Sequence, residues 1–366
     1  MPGRRRPFPV LRGFLVWVAV YLVLDFMAAS VCRRVIPWWD ATEAERAYRR
    51  PSVEFHHGLA PNVIATALWG SATYPYLTNS LGLRAPDTGT VPLVSTLRRT
   101  LLLGDSFTEA VGVSYQASFA GLLDRAARAR GAEVLNAAVL SYAPSLYFRK
   151  ARYLLDHRGL KIDAMVVAID VSDPYDEIER YRAEPNGQIV TAEPPEAWPR
   201  RLSLWLRVHT VWGRVLGSLA LAQERLTKSL PTAAGDMPSR WACRGDAPTP
   251  WGGRGLARAA EGMDSLLQLA SGRGLPLAVV IYPWEDQIVR GERRSCQSDF
   301  WSSWAAERRV PLVNLYPLFV GREPMDSVVR KYFIPFDVHW SAAGHRLVAD
   351  SLMASVVGRL ITGAHP

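Results

Sequence analysis

The chain has 366 residues, 49% of them hydrophobic, so it can bury a substantial core and is long enough for one large domain with additions. Its 43 Lys and Arg against 34 Asp and Glu give a formal charge of +9, but the arginines are scattered, which argues against a nucleic-acid partner. Three cysteines without a CxxC spacing exclude a disulfide-dense scaffold.

The N-terminus combines basic residues with an apolar segment. After arginines at 4–6, residues 13–32 carry a single charge, Asp25, and a helix needs about 20 apolar residues to cross a bilayer. We therefore predict a single-pass membrane anchor within residues 1–34, with the following domain in the periplasm or another extracytoplasmic space. A cleaved signal peptide with small residues at 28–30 is the alternative.

Predicted strands and helices alternate along most of the chain. Residues 35–97 have no long period and form an irregular lead-in, which we expect to pack on the main domain at 98–366. Apolar runs predict strands at 100–104, 132–140, 163–170, 275–282 and 310–316, and helical spacing predicts helices at 115–130, 144–157, 200–228, 254–271, 298–308 and 341–359. This order predicts an α/β fold: a mainly parallel sheet with helices on both faces and a site beyond the carboxyl ends of the strands.

Residues 174–250 interrupt the alternation and are interpreted as an inserted cap region. Within it, the helix predicted at 200–228 carries arginines at seven-residue spacing and apolar residues on its other faces. We interpret this helix as packing over the domain with its arginines in water. A helix lying on a membrane surface is the alternative.

A serine follows the first predicted strand. Gly104, Asp105 and Ser106 come directly after the apolar run, where a strand-to-helix turn presents a hydroxyl at the edge of the sheet. The backbone N–H of Ser106 would then lie at a helix N-terminus, whose partial positive charge favours an oxyanion. Ser106 is therefore the candidate nucleophile, and a simple helix cap is the alternative.

A second motif, Asp337-Val338-His339-Trp340, precedes the last predicted helix. Residues two apart in an extended segment point to the same side, so Asp337 can accept the Nδ1 proton of His339. The Nε2 atom of that imidazole would then face the serine. The two motifs together supply a nucleophile, a base and the group that orients the base.

The two motifs resemble those of the SGNH (GDSL-like) hydrolase family, and the resemblance covers about 98–173 and 254–360. The Asp-x-His-Trp spacing is similar to that of the exopolysaccharide O-acetylation proteins of this superfamily. The segments HHGLAPN and TNSLGLR also resemble membrane-anchored SGNH proteins. The resemblance implies a three-layer, flavodoxin-like sheet with no cofactor.

The middle motifs of the family match less well. Its second glycine corresponds to Ser141, and its asparagine corresponds to Ser172. The resemblance implies an oxyanion hole formed by Ser106, Ser141 and Ser172. Loss of one oxyanion donor typically lowers a rate about 100- to 1000-fold, so slow turnover or loss of catalysis is an open alternative.

Other residues carry weaker signals. Trp284 and Gln287 follow the strand at 275–282 and are candidates to line a sugar pocket, or else to stabilise a loop by packing. His56 and His57 have no carboxylate or cysteine partner at metal-ligand spacing, so no metal site is predicted. His345 is interpreted as structural, and Cys243 can pair with Cys296 in an extracytoplasmic domain.

These observations predict a serine ester hydrolase or O-acyl (acetyl) transferase that acts on an acylated carbohydrate or another small ester. A lipid-directed lipase or thioesterase is the second enzymatic hypothesis. A binding or assembly protein on the same scaffold, without turnover, is the hypothesis from another class.

Overall fold

The computed structural model describes residues 9–36, 39–70, 72–192, 198–233, 242–244, 247–321 and 323–364, so the arginines at 4–6 lie outside it. The chain forms two compact units, residues 1–44 with 194–228, and residues 45–193 with 229–366. This division differs from the predicted boundaries. Most of the lead-in belongs to the larger unit, and part of the predicted insertion groups with the N-terminal segment.

Short strands and helices alternate along the described residues. The strands are β1 Arg49–Ser52, β2 His56–Leu59, β3 Ile64–Trp69, β4 Ala72–Leu77, β5 Arg98–Leu103, β6 Ala132–Asn136, β7 Ala164–Ile169, β8 Tyr181–Ala183, β9 Ile189–Thr191, β10 Cys243–Arg244, β11 Ala247–Pro248, β12 Leu277–Ile281 and β13 Leu312–Asn314. The helices are α1 Pro9–Val35, α2 Ala41–Arg46, α3 Ser106–Glu109, α4 Phe119–Arg128, α5 Pro144–Arg152, α6 Asp173–Tyr175, α7 Trp198–His209, α8 Val211–Thr227, α9 Pro250–Ser271, α10 Glu285–Val289, α11 Cys296–Arg308, α12 Tyr316–Phe319, α13 Met325–Tyr332, α14 Ala342–Met353 and α15 Val356–Thr362.

A parallel sheet of five strands is the centre of the larger unit. Its order is β6-β5-β7-β12-β13, and every neighbouring pair is parallel. The predicted α/β class and flavodoxin-like order are confirmed. Because β6 and β7 flank β5, the strand order reverses there, and a crevice opens beyond the carboxyl ends of β5 and β7.

Both faces of this sheet are buried. Leu101 and Leu103 of β5 contact one hydrophobic core, which also contains side chains of α5, α9 and α11. Leu102 points the other way, into a core shared with α4, α14 and α15. This alternation is the period of two expected for a strand, and it places helices on both faces as predicted.

The lead-in is more regular than its sequence indicates. It forms two antiparallel pairs, β1 with β2 and β3 with β4, whose strands are too short to give a periodic signal. Tyr76 lies in the core with Leu101, and the buried guanidinium of Arg84 donates to the carbonyl oxygens of Glu109 and Ala110. The lead-in therefore binds the C-terminal end of the helix that begins at Ser106.

The larger unit also contains a disulfide. Cys243 in β10 is bonded to Cys296 at the start of α11, with their Cα atoms 5.9 Å apart. The proposed pairing of these two cysteines is present in the structure. It links a strand of the predicted insertion to a helix that packs on the central sheet.

The smaller unit is helical. Within α1, residues Leu11–Val35 are long and apolar enough to cross a membrane. The single helix predicted at 200–228 is instead two helices, α7 and α8. Thr210 between them is extended, with φ −132°, and its Oγ1 accepts the N–H of Gly213 at 2.9 Å, so it ends one helix and caps the next.

Candidate active site

Ser106 is the first residue of α3, directly beyond the carboxyl end of β5. The turn before it has no room for a side chain at Gly104, where a Cβ atom would lie 2.3 Å from Thr108 Oγ1 and 3.1 Å from the carbonyl oxygen of Ala168. A glycine is therefore required for the strand to pass so close to the helix that carries the serine.

The structure brings the three predicted catalytic residues together. His339 Nε2 lies 2.9 Å from Ser106 Oγ, and His339 Nδ1 lies 2.5 Å from Asp337 Oδ1. The backbone N–H of His339 donates to the same carboxylate oxygen at 2.9 Å. Both Ser106 and His339 are buried. This is the geometry of a nucleophile, its general base and the carboxylate that orients the base.

Trp69 completes this arrangement from the lead-in. Its Nε1–H donates to Asp337 Oδ2 at 2.8 Å, and its ring meets the ring of His339 edge-on, with centroids 5.0 Å apart. Burial by itself raises the pKa of Asp337, but the hydrogen bonds and charge of His339, together with the bond from Trp69, outweigh it and the pKa falls below its ordinary value. Sequence reasoning missed Trp69, because no local pattern connects a hairpin tryptophan to a distant aspartate.

Asp105 holds the turn in two ways. Its Oδ1 accepts the N–H of Phe107 at 3.0 Å, and its Oδ2 lies 2.9 Å from Ser106 Oγ. Burial first, and then the charge of Asp170, raise the pKa of Asp105 well above its ordinary value. The Ser106 hydroxyl therefore lies within hydrogen-bond distance of both Asp105 and His339.

Ser106 and Ser141 both line the cleft. Among the hydrogen bonds of the described residues, none uses the backbone N–H of Ser106 or of Ser141. Ser141 has φ +62°, a left-handed conformation that costs a residue other than glycine about 1 to 2 kcal/mol. At the position that corresponds to a glycine in the SGNH pattern, this chain therefore has a serine in a left-handed conformation.

The neighbours of Ser141 hold it in this conformation. The N–H of Leu140 donates to Glu109 Oε2 at 2.5 Å, and the carbonyl oxygen of Leu140 accepts a hydrogen bond from His57 Nε2 at 2.8 Å. Tyr181 donates to the carbonyl oxygen of Ser141. Burial lowers the pKa of His57 to about 4, so it is neutral near pH 7. His56 and His57 are hydrogen-bonded to each other, with their Nδ1 atoms 2.7 Å apart.

Ser172 lines the cleft, and its hydroxyl is hydrogen-bonded to a carboxyl group there. It donates to Asp176 Oδ2 at 3.2 Å, while the Ser172 N–H donates to Asp170 Oδ1 at 2.7 Å. Burial raises the pKa of Asp176 to about 8, against the opposing charge of Arg180. The donor that asparagine provides in the family pattern is thus engaged with a carboxyl group here.

The cleft has a volume of about 310 Å³. Trp284 lines it as predicted, with its Nε1–H donating to Asp170 Oδ2 at 2.9 Å.

Gln287 does not line the cleft. This residue is only 2% exposed, and its Oε1 accepts hydrogen bonds from the N–H of Trp284 and from Tyr316, so it stabilises the start of α10. His345 is buried and accepts the N–H of Phe119 at 3.2 Å, which is a structural role.

Comparisons with known proteins give a distant likeness. No family model matches the sequence, and no curated protein is similar to it. Solved structures of GDSL-type lipolytic hydrolases do resemble the chain. A lipase/acylhydrolase from Enterococcus faecalis is 14% identical, with a TM-score of 0.40, over 72% of this chain and 97% of that one. The psychrotrophic esterase EstA from a Pseudoalteromonas species is 12% identical, with a TM-score of 0.41, over 72% and 98%.

A GDSL-like lipase from Bacteroides thetaiotaomicron is 10% identical, with a TM-score of 0.38, over 72% of this chain and 88% of that one. Each of these three structures is at most 14% identical to this chain.

Proposed function

We propose that this chain is a serine ester hydrolase. The observation that carries the proposal is the hydrogen-bonded series Ser106–His339–Asp337 at the carboxyl edge of the sheet. Ser106 Oγ attacks the ester carbonyl carbon while His339 Nε2 accepts the hydroxyl proton. The N–H groups of Ser106 and Ser141 donate to the oxygen that becomes negative. His339 then protonates the leaving alkoxide, and water releases the acyl group by the same steps.

The cleft favours a short acyl group. Its volume of about 310 Å³ is at the lower end of the range for small-molecule pockets, about 300 to 1000 Å³. Trp284 and Tyr175 line the cleft, and aromatic side chains are the kind that sugars stack on. We propose an acetyl ester of a polysaccharide or glycoconjugate as the substrate, with a sugar hydroxyl in place of water as an alternative acceptor.

The proposed location is an extracytoplasmic membrane surface. The length and composition of α1 support an anchor, and the bond between Cys243 and Cys296 suits an oxidising compartment. An anchor also favours the second hypothesis, a lipid-directed lipase or thioesterase. Activity on short acyl esters against long acyl esters distinguishes the two enzymes.

Replacing Ser106 with alanine tests the hydrolase. The full chain in detergent should hydrolyse a chromogenic acetyl ester and react covalently with a fluorophosphonate probe. Ser106→Ala should abolish labelling and lower kcat by about three orders of magnitude or more. Ser265→Ala, which removes a hydroxyl on α9 that bonds only to the helix backbone, is the matched control.

A wild-type protein that neither hydrolyses the ester nor takes up the probe would favour the non-catalytic hypothesis, which the engagement of Ser172 by Asp176 motivates. Equal hydrolysis by Ser106→Ala would instead assign the activity to another group.

We expect ionisation of Asp176 to lower kcat/KM at alkaline pH. As the pH rises through about 8, this carboxyl gains a negative charge inside the cleft where the oxyanion develops. We therefore expect kcat/KM of the wild type to fall several-fold between about pH 7 and pH 10, and Asp176→Asn to remove that fall. Rates with the acetyl ester across this range check it. An alkaline fall that persists in Asp176→Asn would assign it to a different group.

A further inference from the structure

The two helices α7 and α8 turn their large apolar side chains outward. Within this described pair of helices, no residue of α7 is buried, and the buried residue of α8 is Gly217. Trp198 is 74% exposed, and Leu216 and Leu219 are each 60% exposed. A helical hairpin in water buries such side chains and exposes its polar ones. Here the large apolar side chains are exposed, and an apolar surrounding would cover them.

Two glycines of α8 are in close contact with residues of α7. A Cβ atom on Gly213 would lie 2.4 Å from the carbonyl oxygen of Leu206, and one on Gly217 would lie 2.7 Å from Arg207 Nε. These two glycines are four residues apart, on one face of α8. A Gly-x-x-x-Gly spacing occurs in helix pairs of membranes, but here only Gly213 lies against the backbone of α7, and Gly217 lies against the side chain of Arg207.

The single charge of the apolar helix α1 is bound within the same unit. Asp25 is buried, and its Oδ1 accepts the backbone N–H groups of Val211 and Trp212 at 3.2 and 3.3 Å. These groups are at the N-terminus of α8, a helix of 17 residues, where the helix dipole favours a negative charge. A carboxylate that is costly in lipid is thereby satisfied, and α8 is fastened to α1.

The hairpin also carries a strongly unbalanced charge. Residues 198–228 contain six basic side chains against one acidic one, Glu224. Trp198, Trp205 and Trp212 lie among them, and tryptophan is enriched at the boundary between headgroups and acyl chains. Basic side chains with outward apolar and tryptophan side chains are characteristic of helices in the interface of an anionic bilayer.

We propose that α7 and α8 are embedded in an anionic lipid bilayer, fastened to α1 through Asp25. A groove of about 420 Å³ between the two helices, lined by Trp198, Leu202, Leu206 and Leu216, takes acyl chains. The chain therefore has a second membrane contact besides its N-terminal helix. This inference is independent of the proposed ester chemistry.

Spin labels on the full chain in phospholipid nanodiscs test the proposal. In a Cys32→Ser background, which removes the free cysteine, one label is placed at Leu219→Cys and a control label at Asn186→Cys, an exposed position between β8 and β9. The nanodiscs contain phosphatidylcholine and phosphatidylglycerol. We expect a ratio of collisions with oxygen to collisions with a water-soluble nickel complex several-fold higher at 219 than at 186.

Two results would overturn the proposal. A label at 219 that collides mainly with the nickel complex is in water. A label shielded from both reagents, with dipolar broadening, is covered by a second copy of the chain. Asp25→Ala supplies a further measurement: it should increase the mobility of the label at 219 and leave that at 186 unchanged, whereas unchanged mobility at both would remove the fastening role of Asp25.

Discussion

Replacing Asp337 with asparagine is expected to lower kcat/KM for an ester by about four orders of magnitude, with little change in folding. Two donors of His339 meet Asp337 Oδ1, and Trp69 donates to Oδ2, so a carboxylate satisfies all three. An asparagine offers one oxygen. If its oxygen faces Trp69, its NH₂ group faces His339 and stabilises the tautomer that carries a proton on Nε2, which cannot accept the serine proton.

Trp69→Phe is the matched control, because it keeps the carboxylate and removes one hydrogen bond to it. A hydrogen bond to a charged group contributes about 1.5 to 3 kcal/mol, so we expect a loss of roughly ten- to a hundredfold in kcat/KM. Rates on an acetyl ester, with thermal unfolding as a check on folding, separate the two variants. A loss in Asp337→Asn no larger than that in Trp69→Phe would show that His339 needs no carboxylate to act as the base.

Glu109→Gln is expected to lower the free energy of unfolding by about 3 to 5 kcal/mol near pH 7. Glu109 is buried and pairs with both terminal nitrogens of Arg49, at 2.9 and 3.0 Å. It also accepts hydrogen bonds from Tyr76 at 2.7 Å and from the N–H of Leu140. The glutamine leaves the guanidinium of Arg49 without its counter-charge and places an NH₂ group among these donors.

The effect of Glu109→Gln should depend on pH. Burial alone raises the pKa of Glu109, but the charge and hydrogen bonds of Arg49 outweigh it, and the pKa in the folded state lies below the ordinary 4.5. The stabilisation is therefore complete above that ordinary value and is lost as the pH falls through the folded-state value. Denaturant unfolding at several pH values should show the difference between wild type and variant shrinking in acid.

Glu184→Gln is the surface control for this measurement. Glu184 pairs with Arg182, but their side chains are 35% and 65% exposed, so we expect a change below about 1 kcal/mol. If Glu109→Gln lowered the free energy of unfolding no more than this control, the buried pair of Glu109 and Arg49 would not stabilise the turn that carries Ser141.

The sequence was sufficient to predict the central sheet and the grouping of Ser106, His339 and Asp337, because their signals are local. Ser106 follows an apolar run, and Asp337 and His339 are two residues apart, so chemistry and spacing are visible together. Trp69 and the pair of Glu109 with Arg49 could not be predicted in this way. Their partners are distant in sequence, and a tryptophan or a buried ion pair has no characteristic spacing.

Two predictions from local sequence patterns were wrong, the single helix at 200–228 and the position of Gln287 in the cleft. Residues 200–228 have a continuous helical period, but Thr210 bonds the N–H of Gly213 and divides the segment into two helices. Gln287 follows Trp284 by three residues, but its amide oxygen accepts the N–H of Trp284 at the start of α10, and of these two residues the tryptophan lines the cleft. In both cases a side chain competes for backbone hydrogen bonds, and periodicity does not record that competition.

The hydrogen bond from Trp69 joins an early part of the chain to one of its latest. During synthesis, Ser106 emerges long before residue 339, so a nascent chain carries its nucleophile without a base. The proposed hydrolase would be inactive until residues 337–339 have docked against the hairpin of β3 and β4. The proposed ester hydrolysis would therefore begin only when folding is complete, and a product truncated before residue 337 would lack it.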